Sequence, residues 1–210
     1  MSGWLEVGER IPDLTLPADD GDSVRLRDLK GKTTVVYFYP KDDTPGCTRE
    51  ACAFRDRSAE LKKLGVQVFG ISADDLKSHG KFRDKYSLNF PLLSDVDHRA
   101  AEAFGAWQEK NNYGKKYWGI VRSTFLIDSA GVVLKVWPKV NVDGHDAAVI
   151  EAVRSLDRSA SSEATELKSV KKTPAKRGVG TAITVLKKKA AKASAKTRAK
   201  KKTAPKAKKE

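Results

Sequence analysis

Cysteine is scarce in this sequence. Only Cys47 and Cys52 occur among 210 residues, too few for the disulfide framework of a small secreted scaffold. A structural zinc site uses about four Cys or His ligands. The three histidines, His79, His98 and His145, are scattered without ligand spacing. We therefore predict no metal site, and we expect these histidines at the surface or at helix caps.

Long apolar runs are also missing. The first ten residues lack a basic stretch followed by an apolar one, as a secretory signal would have. The longest apolar runs have the length of a β-strand, well below the roughly 20 residues of a membrane-spanning helix. These absences predict a cytoplasmic protein with no membrane span.

Acidic residues are nearly absent from the C-terminal part. Residues 167–210 contain 17 of the 41 Lys and Arg but only one of the 27 Asp and Glu, Glu210. This leaves 24 basic and 26 acidic residues in the first 166. The net charge of +14 is therefore a property of the C-terminal segment, and the preceding part has the balanced charge and apolar content of a globular domain.

These composition changes predict three parts. Residues 1–157 form one domain, residues 158–166 a linker rich in Ser, Ala and Glu, and residues 167–210 a disordered basic tail of Lys and Ala with too few large apolar residues to fold alone. Clustered lysines neutralise phosphates. We expect the tail to bind DNA or RNA without sequence preference and to associate the protein with nucleoid or chromatin, the alternatives being another polyanion, such as an acidic membrane, or a solubilising role.

Strand and helix patterns alternate in the first part. Three β-branched and aromatic runs predict buried strands at 33–39, 66–72 and 124–128, and 132–137 is expected to pair antiparallel with the last of these. A hairpin is predicted around 19–22. Helices are predicted at 47–64, 76–86, 98–104 and 146–156. The alternation indicates an α/β fold with a central sheet.

Cys47 lies where a strand is followed by a helix. Thr44 is a good N-cap and Pro45 suits a first helical turn. Cys47 is then in that turn, where unpaired N–H groups and the helix dipole favour a thiolate. The alternative, a buried structural cysteine, fits the Thr-Pro-Gly-Cys turn less well.

A thiolate alone would not make an efficient catalytic nucleophile. A free thiol with a pKa of about 8.5 is already about 3% ionised at pH 7, so full ionisation raises the rate by at most about 30-fold. The site would also need donors that orient the substrate and stabilise negative charge on its leaving group. The hydroxyl of Thr44 and a distant arginine are candidates.

Two motifs resemble a known family. The pattern Pro40-x-x-x-Thr44-x-x-Cys47 matches the active-site motif of the peroxiredoxins. The stretches 43–56 (DTPGCTREACAFRD) and 117–128 (YWGIVRSTFLID) are similar to the peroxiredoxin Q or bacterioferritin comigratory protein subfamily, with Arg122 at the position of its active-site arginine. The resemblance extends from about residue 3 to residue 156.

This resemblance implies a thioredoxin-like fold with a central mixed sheet flanked by helices. It also implies reduction of hydrogen peroxide and organic hydroperoxides by a monomer without cofactor, recycled by thioredoxin or a similar dithiol reductant. Cys47 would be the peroxidatic nucleophile and Cys52 the resolving cysteine. Pro40 would screen the thiolate, Thr44 would hydrogen-bond the peroxide, and Arg122 would stabilise thiolate and transition state.

The basic tail departs from this family and is similar in composition to lysine- and alanine-rich tails of linker histones. It leaves a second function open, a nucleic-acid-binding redox sensor in which peroxidase turnover is incidental. A third possibility, a disulfide reductase, is disfavoured by the C-x4-C spacing. Near the second motif, Trp107, Tyr113, Tyr117 and Trp118 either wall the peroxide entrance or pack a core.

Overall fold

A computed structural model describes residues 3–170 with the exception of Lys30 and Tyr113. The predicted tail, 167–210, therefore lies outside the described residues except for its first four. Residues up to Ser169 belong to one compact unit. None of the helices in this described part combines the length and apolarity needed to cross a membrane.

The centre of the unit is a mixed five-stranded sheet. Its strands are β3 (Thr33–Phe38), β4 (Val66–Ser72), β5 (Leu92–Ser94), β8 (Ser123–Ile127) and β9 (Val133–Trp137), and their order in the sheet is β5-β4-β3-β8-β9. β3 pairs parallel with β4 and antiparallel with β8, and β8 pairs antiparallel with β9. The three predicted buried strands are confirmed. The predicted antiparallel pairing of 132–137 with 124–128 is confirmed as well.

Side chains of β3 enter two cores, one on each face of the sheet. Val35 and Tyr37 belong to one core and Val36 and Phe38 to the other, as the twofold alternation of a strand requires. Burial on both faces explains why this strand is a continuous apolar run. The core that contains Val35 and Tyr37 also contains Cys47, so one sheet face directly supports the candidate nucleophile.

Helices cover the sheet. They are α1 (Pro45–Asp56), α2 (Ser58–Lys63), α3 (Leu76–Tyr86), α4 (Arg99–Ala103) and α5 (His145–Val170), and a 3-10 turn spans Leu26–Leu29. The predicted α/β architecture with helices flanking a mixed sheet is confirmed. The single helix predicted for 47–64 is wrong, because Arg57 interrupts it with φ −89° and ψ 0°.

Two antiparallel hairpins lie outside the central sheet. The first, β1 (Thr15–Pro17) with β2 (Ser23–Arg25), was predicted from its turn. The second, β6 (Trp107–Asn112) with β7 (Lys115–Ile120), was not. Its strands, WQEKNN and KKYWGI, are mostly polar, and β7 is largely exposed, so they lack the alternation that identifies a half-buried strand.

α5 is longer than predicted. It continues through residues 158–166, where the sequence predicts a linker with no helical period. The segment (RSASSEATE) has no Gly or Pro, and its Arg, Ala and Glu residues favour helix, so nothing ends α5 at residue 157. The division at 157, 166 and 167 stays a prediction.

Candidate active site

The N-terminus of α1 holds Cys47. β3 delivers the chain to a short loop, Thr44 adopts the extended N-cap conformation, and Pro45 begins the helix. The N–H of Thr48 donates to the carbonyl of Thr44 at 2.8 Å. Cys47 is therefore in the first turn, as predicted, and its side chain is 1% exposed. Helix dipole and free N–H groups there favour negative charge on sulfur.

Arg122 lies beside this sulfur. The residue sits between β7 and β8, and its Nη2 donates to Cys47 Sγ at 3.1 Å. A Cβ on Gly46 would lie 3.2 Å from the same Nη2, so glycine leaves room for the guanidinium. Burial by itself would lower the pKa of Arg122, but Glu50 and Cys47 raise it above its ordinary value. The guanidinium is thus a fixed positive charge at the thiol.

Glu50 orients the guanidinium, and sequence reasoning did not assign it this role. Arg122 Nη1 donates to Glu50 Oε2, and Glu50 is 1% exposed. Glu50 Oε1 is buried and has no hydrogen-bond partner among the described residues. Burial raises the pKa of Glu50 to about 7, although Arg122 opposes this shift. One signal was present in the sequence: Glu50 is three residues after Cys47, on the same helix face.

Stability should depend on pH through Glu50. Because its pKa is higher in the folded than in the unfolded state, the folded protein binds the proton more tightly. The resulting stabilisation is complete below the ordinary pKa of 4.5 and is lost as the pH rises through about 7. Relative to Glu50→Gln, the wild-type protein should lose about 2–3 kcal/mol of unfolding free energy between about pH 4.5 and pH 8.

Urea unfolding of both proteins across this range measures the difference. Subtracting the variant removes groups common to both, such as His145, whose pKa is lowered to about 4 by burial. A difference that stays constant with pH would contradict the assignment.

Thr44 and Pro40 lie on the chain segment that leads to α1. The hydroxyl of the half-buried Thr44 donates to the carbonyl of Lys41 at 3.1 Å rather than capping α1. Pro40 is exposed and follows the buried Tyr39. The structure therefore brings Arg122 and Glu50 to Cys47, whereas the roles expected for Thr44 and Pro40 stay predictions.

Cys52 belongs to the same helix as Cys47. It is half-buried, Cys47 is buried, and both thiols are free. With both residues on the continuous α1, the geometry is that of a reduced protein in which the two sulfurs have not yet been brought together.

A second cation enters the site from the β6–β7 hairpin. Lys110 Nζ donates to the carbonyl of Ile120. Burial lowers the pKa of Lys110, the nearby Arg122 lowers it further, and Cys47 opposes both. The aromatic residues of this region do not form one core: Trp107 stacks on His98 at 3.8 Å, while Tyr117 and Trp118 are 49% and 56% exposed. The fourth aromatic residue, Tyr113, lies outside the described residues.

His79 and His145 are buried, so the expected surface position is wrong for both, although His145 lies at the start of α5. His79 is 0% exposed, and its Nδ1 lies 2.9 Å from Asp42 Oδ2. The Nε2 atom of His145 lies 2.8 Å from Thr124 Oγ1. Both are polar partners within the fold, and His98 occupies the N-cap of α4. Across the described residues no three His, Cys, Asp or Glu side chains cluster in a way that could hold a metal ion.

Together these groups can perform nucleophilic displacement at an oxygen. The sulfur is at a helix N-terminus and against a guanidinium, which favours the thiolate form. The guanidinium has further N–H donors that can contact a peroxide oxygen as negative charge develops on it. Burial excludes competing water and strengthens these electrostatic interactions.

Comparison with known proteins gives a consistent family. A model of the AhpC/TSA family matches residues 7–136. Peroxiredoxin Bcp of Bacillus subtilis is 49% identical over 152 residues, which cover 72% of this chain and 97% of that protein. Peroxiredoxin Q of Xanthomonas campestris is 42% identical, with a TM-score of 0.68 over 71% of this chain and 97% of the other. The predicted thioredoxin-like fold is thereby confirmed.

A further similar structure concerns alkyl peroxides. The bacterioferritin comigratory protein of Xanthomonas campestris has 42% identity and a TM-score of 0.68 over 71% of this chain and 98% of its own. It was solved as trapped intermediate and ligand complexes that bear on its alkyl peroxide reduction activity.

Proposed function

The chain belongs to the AhpC/TSA family and is a thiol peroxidase that acts on hydroperoxides with a thiol reductant, and we propose that Cys47 is its nucleophile and Cys52 its resolving thiol. The observation that carries the proposal is the contact of Arg122 Nη2 with Cys47 Sγ at 3.1 Å. Arg122 is held there by the buried carboxylate of Glu50.

In the first step the Cys47 thiolate attacks the distal oxygen of the hydroperoxide. An S–O bond forms, the O–O bond breaks, and Cys47 becomes a sulfenic acid. The leaving oxygen takes up a proton and departs as water or an alcohol. Arg122 stabilises the charge that grows on the oxygens, the Thr44 hydroxyl hydrogen-bonds the peroxide, and Pro40 screens the thiolate.

The second step forms the Cys47–Cys52 disulfide and releases water. Cα atoms five residues apart on an α-helix are roughly 8–9 Å from each other, whereas a disulfide needs them within about 7 Å. Because both cysteines lie on the continuous α1, its N-terminal part has to unwind. Thioredoxin or a similar dithiol then reduces the disulfide, and the reduced helix forms again.

Oxidation should therefore loosen α1. After one equivalent of hydrogen peroxide, amide hydrogen exchange of residues 45–54 should accelerate by at least about tenfold, because a wound turn protects its amides. Mass spectrometry should find the Cys47–Cys52 bond, and thioredoxin should reverse both changes. Unchanged exchange in protein shown to contain the bond would refute the unwinding. Reversal by a small dithiol but not by thioredoxin would refute thioredoxin as reductant.

For the tail, 167–210, we propose non-specific binding to nucleic acid. Its support is compositional: runs such as residues 187–192 (KKKAAK) and 200–206 (KKKTAPK) place cations close together. Such cations displace counterions from phosphates, and Lys- and Ala-rich segments can become helical once their charges are neutralised. With only Arg177 and Arg198 for bidentate contacts, base recognition is not expected. The peroxidase would act as a cytoplasmic monomer beside nucleoid or chromatin.

Deleting residues 167–210 should abolish retardation of duplex DNA in a gel and leave the peroxidase rate within about twofold. If 6–10 lysines contact phosphates, log K of the full-length protein should fall with log salt with a slope of about −5 to −9. A truncated protein that binds DNA as well as the whole chain, or a whole chain that does not bind at low salt, would refute this function of the tail.

A further inference from the structure

Tyr86, the last residue of α3, contacts both ends of α1. Its hydroxyl donates to Asp43 Oδ1 at 2.6 Å, and Asp43 lies two residues before the helix begins. Its backbone carbonyl accepts from Arg55 Nη1 at 2.6 Å, and Arg55 is in the last turn of α1. One residue of a neighbouring helix therefore fixes α1 at its start and at its end.

Lys85 makes a second contact with Asp43, which lies two residues before the start of α1. Its Nζ donates to both carboxylate oxygens of Asp43, at 2.6 and 2.9 Å. These contacts lower the pKa of Asp43, first through Lys85 and then through Tyr86, so the carboxylate is ionised at neutral pH. The ion pair is largely exposed, which makes the hydrogen bond from Tyr86 and the geometry of Asp43 more important than charge alone.

Asp43 is also conformationally strained. Its φ is +54°, a left-handed conformation that every residue other than glycine adopts at an energetic cost, although this cost is smaller for Asp and Asn. Such a residue keeps this conformation when surrounding contacts hold it. Here the contacts come from Lys85 and Tyr86, and the strained residue directly precedes Thr44, the N-cap of α1.

α3, which carries Lys85 and Tyr86, is itself stabilised at both of its ends. The ring of Tyr86 packs edge-on against Phe82 at 5.4 Å, and Phe82 is 2% exposed. At the other end of α3, Asp75 caps the helix by accepting from the N–H of Ser78 at 2.7 Å. α3 can therefore stay folded while α1 detaches from it.

We propose that Asp43, Lys85 and Tyr86 form a clamp that holds α1 wound during peroxide attack and whose release permits the unwinding that joins Cys47 to Cys52. The proposal rests on the two-cysteine cycle proposed above, but the clamp itself acts in the reduced protein. Asp43 and Tyr86 are thus positioning residues. They set how long the Cys47 sulfenic acid stays in the closed site, where a second peroxide converts it to sulfinic acid.

Cys47 is buried, so its alkylation reports opening of α1 directly. The experiment uses the full-length reduced protein with Cys52→Ser, in which Cys47 is the single thiol, and a bulky uncharged maleimide. Tyr86→Phe removes one hydroxyl and keeps both the ring and the carbonyl. Asp43→Asn removes the charge and keeps a residue that tolerates the left-handed conformation. Glu151→Gln is the matched control, since it breaks an exposed ion pair with Arg158 within α5.

Tyr86→Phe and Asp43→Asn should each raise the alkylation rate of Cys47 by about three- to tenfold, which is the change expected when one hydrogen bond is lost. Their combination should exceed either alone by less than about twofold, because both variants weaken the contacts of the same Asp43 side chain. Glu151→Gln should stay within about twofold. Titration of the Cys47 thiolate by ultraviolet absorbance corrects each rate for intrinsic reactivity. Corrected rates equal to the parent, or an equal rise in the control, would overturn the clamp.

A second measurement separates positioning from general stability. With Cys52 present, a peroxide pulse should give faster disulfide formation and less sulfinic acid in Tyr86→Phe, with the first oxidation of Cys47 within about twofold of wild type. A slower first oxidation with no change in the ratio of disulfide to sulfinic acid would overturn the positioning role. If wild type forms no disulfide at all, the two-cysteine cycle fails, and the alkylation rates still decide the clamp.

Discussion

Replacing Cys47 with serine should abolish peroxide reduction. Serine keeps the size and position of the side chain at the start of α1 but presents no thiolate at neutral pH. With the nucleophile lost, turnover should fall by on the order of 10³-fold or more. Peroxide consumption with thioredoxin, thioredoxin reductase and NADPH measures this, and the wild-type protein should consume many equivalents per chain, whereas a sensor would consume about one.

Cys52→Ser is the matched control for this result. It leaves Cys47 and Arg122 in place, so it should retain the first oxidation at close to the wild-type rate. It should then stop at the sulfenic acid unless an external thiol condenses with it, and it should form sulfinic acid more readily. Equal first-turnover burst rates for wild type and Cys47→Ser would show that another residue is the nucleophile.

Removing Arg122 should have the next largest effect. Arg122→Met deletes the donor to Cys47 Sγ and leaves the buried Glu50 without its counter-ion. The rate constant of the first oxidation should fall by about 10²- to 10³-fold, the usual loss for one positioned donor to a developing oxyanion. Stopped-flow measurement of the first turnover gives this rate without involving the reductant.

Arg122→Lys tests what the planar group contributes. One guanidinium nitrogen contacts Glu50 and the other contacts Cys47, which a single ammonium group cannot reproduce in the same geometry. The lysine variant should therefore recover only part of the loss, about tenfold over Arg122→Met. A first-turnover rate of Arg122→Lys equal to wild type would show that a positive charge suffices and that simultaneous contact with Glu50 and Cys47 is unimportant.

Much of the fold followed from local patterns. The strands at 33–39, 66–72 and 124–128 were predictable because burial on both faces requires continuous apolar runs. The β6–β7 hairpin was missed because its strands are mostly polar and show no regular apolar alternation, and β5 was missed because Leu92–Ser94 is too short to show a period. α5 was predicted too short because residues 158–166 lack an apolar stripe, although they contain no Gly or Pro to end the helix.

The candidate nucleophile could be identified in the same local way. Thr44, Pro45 and Cys47 are close along the chain, and cap, first turn and thiol are signals of neighbouring residues. Arg122 lies 75 residues from Cys47, so no local pattern connects it with the thiol. Its assignment needed the resemblance of a second motif, and the structure shows the contact.

By itself, the sequence determined where the chain alternates between strand and helix, that Cys47 lies in the first turn of a helix, and where the basic charge is concentrated. These properties depend on residues within a few positions of each other. Only the tertiary structure decided that Glu50 is buried against Arg122, that His79 and His145 are internal, and that Tyr86 contacts both ends of α1. Each of these depends on segments that are 21 to 72 residues apart along the chain, which packing brings together and which no local pattern reveals.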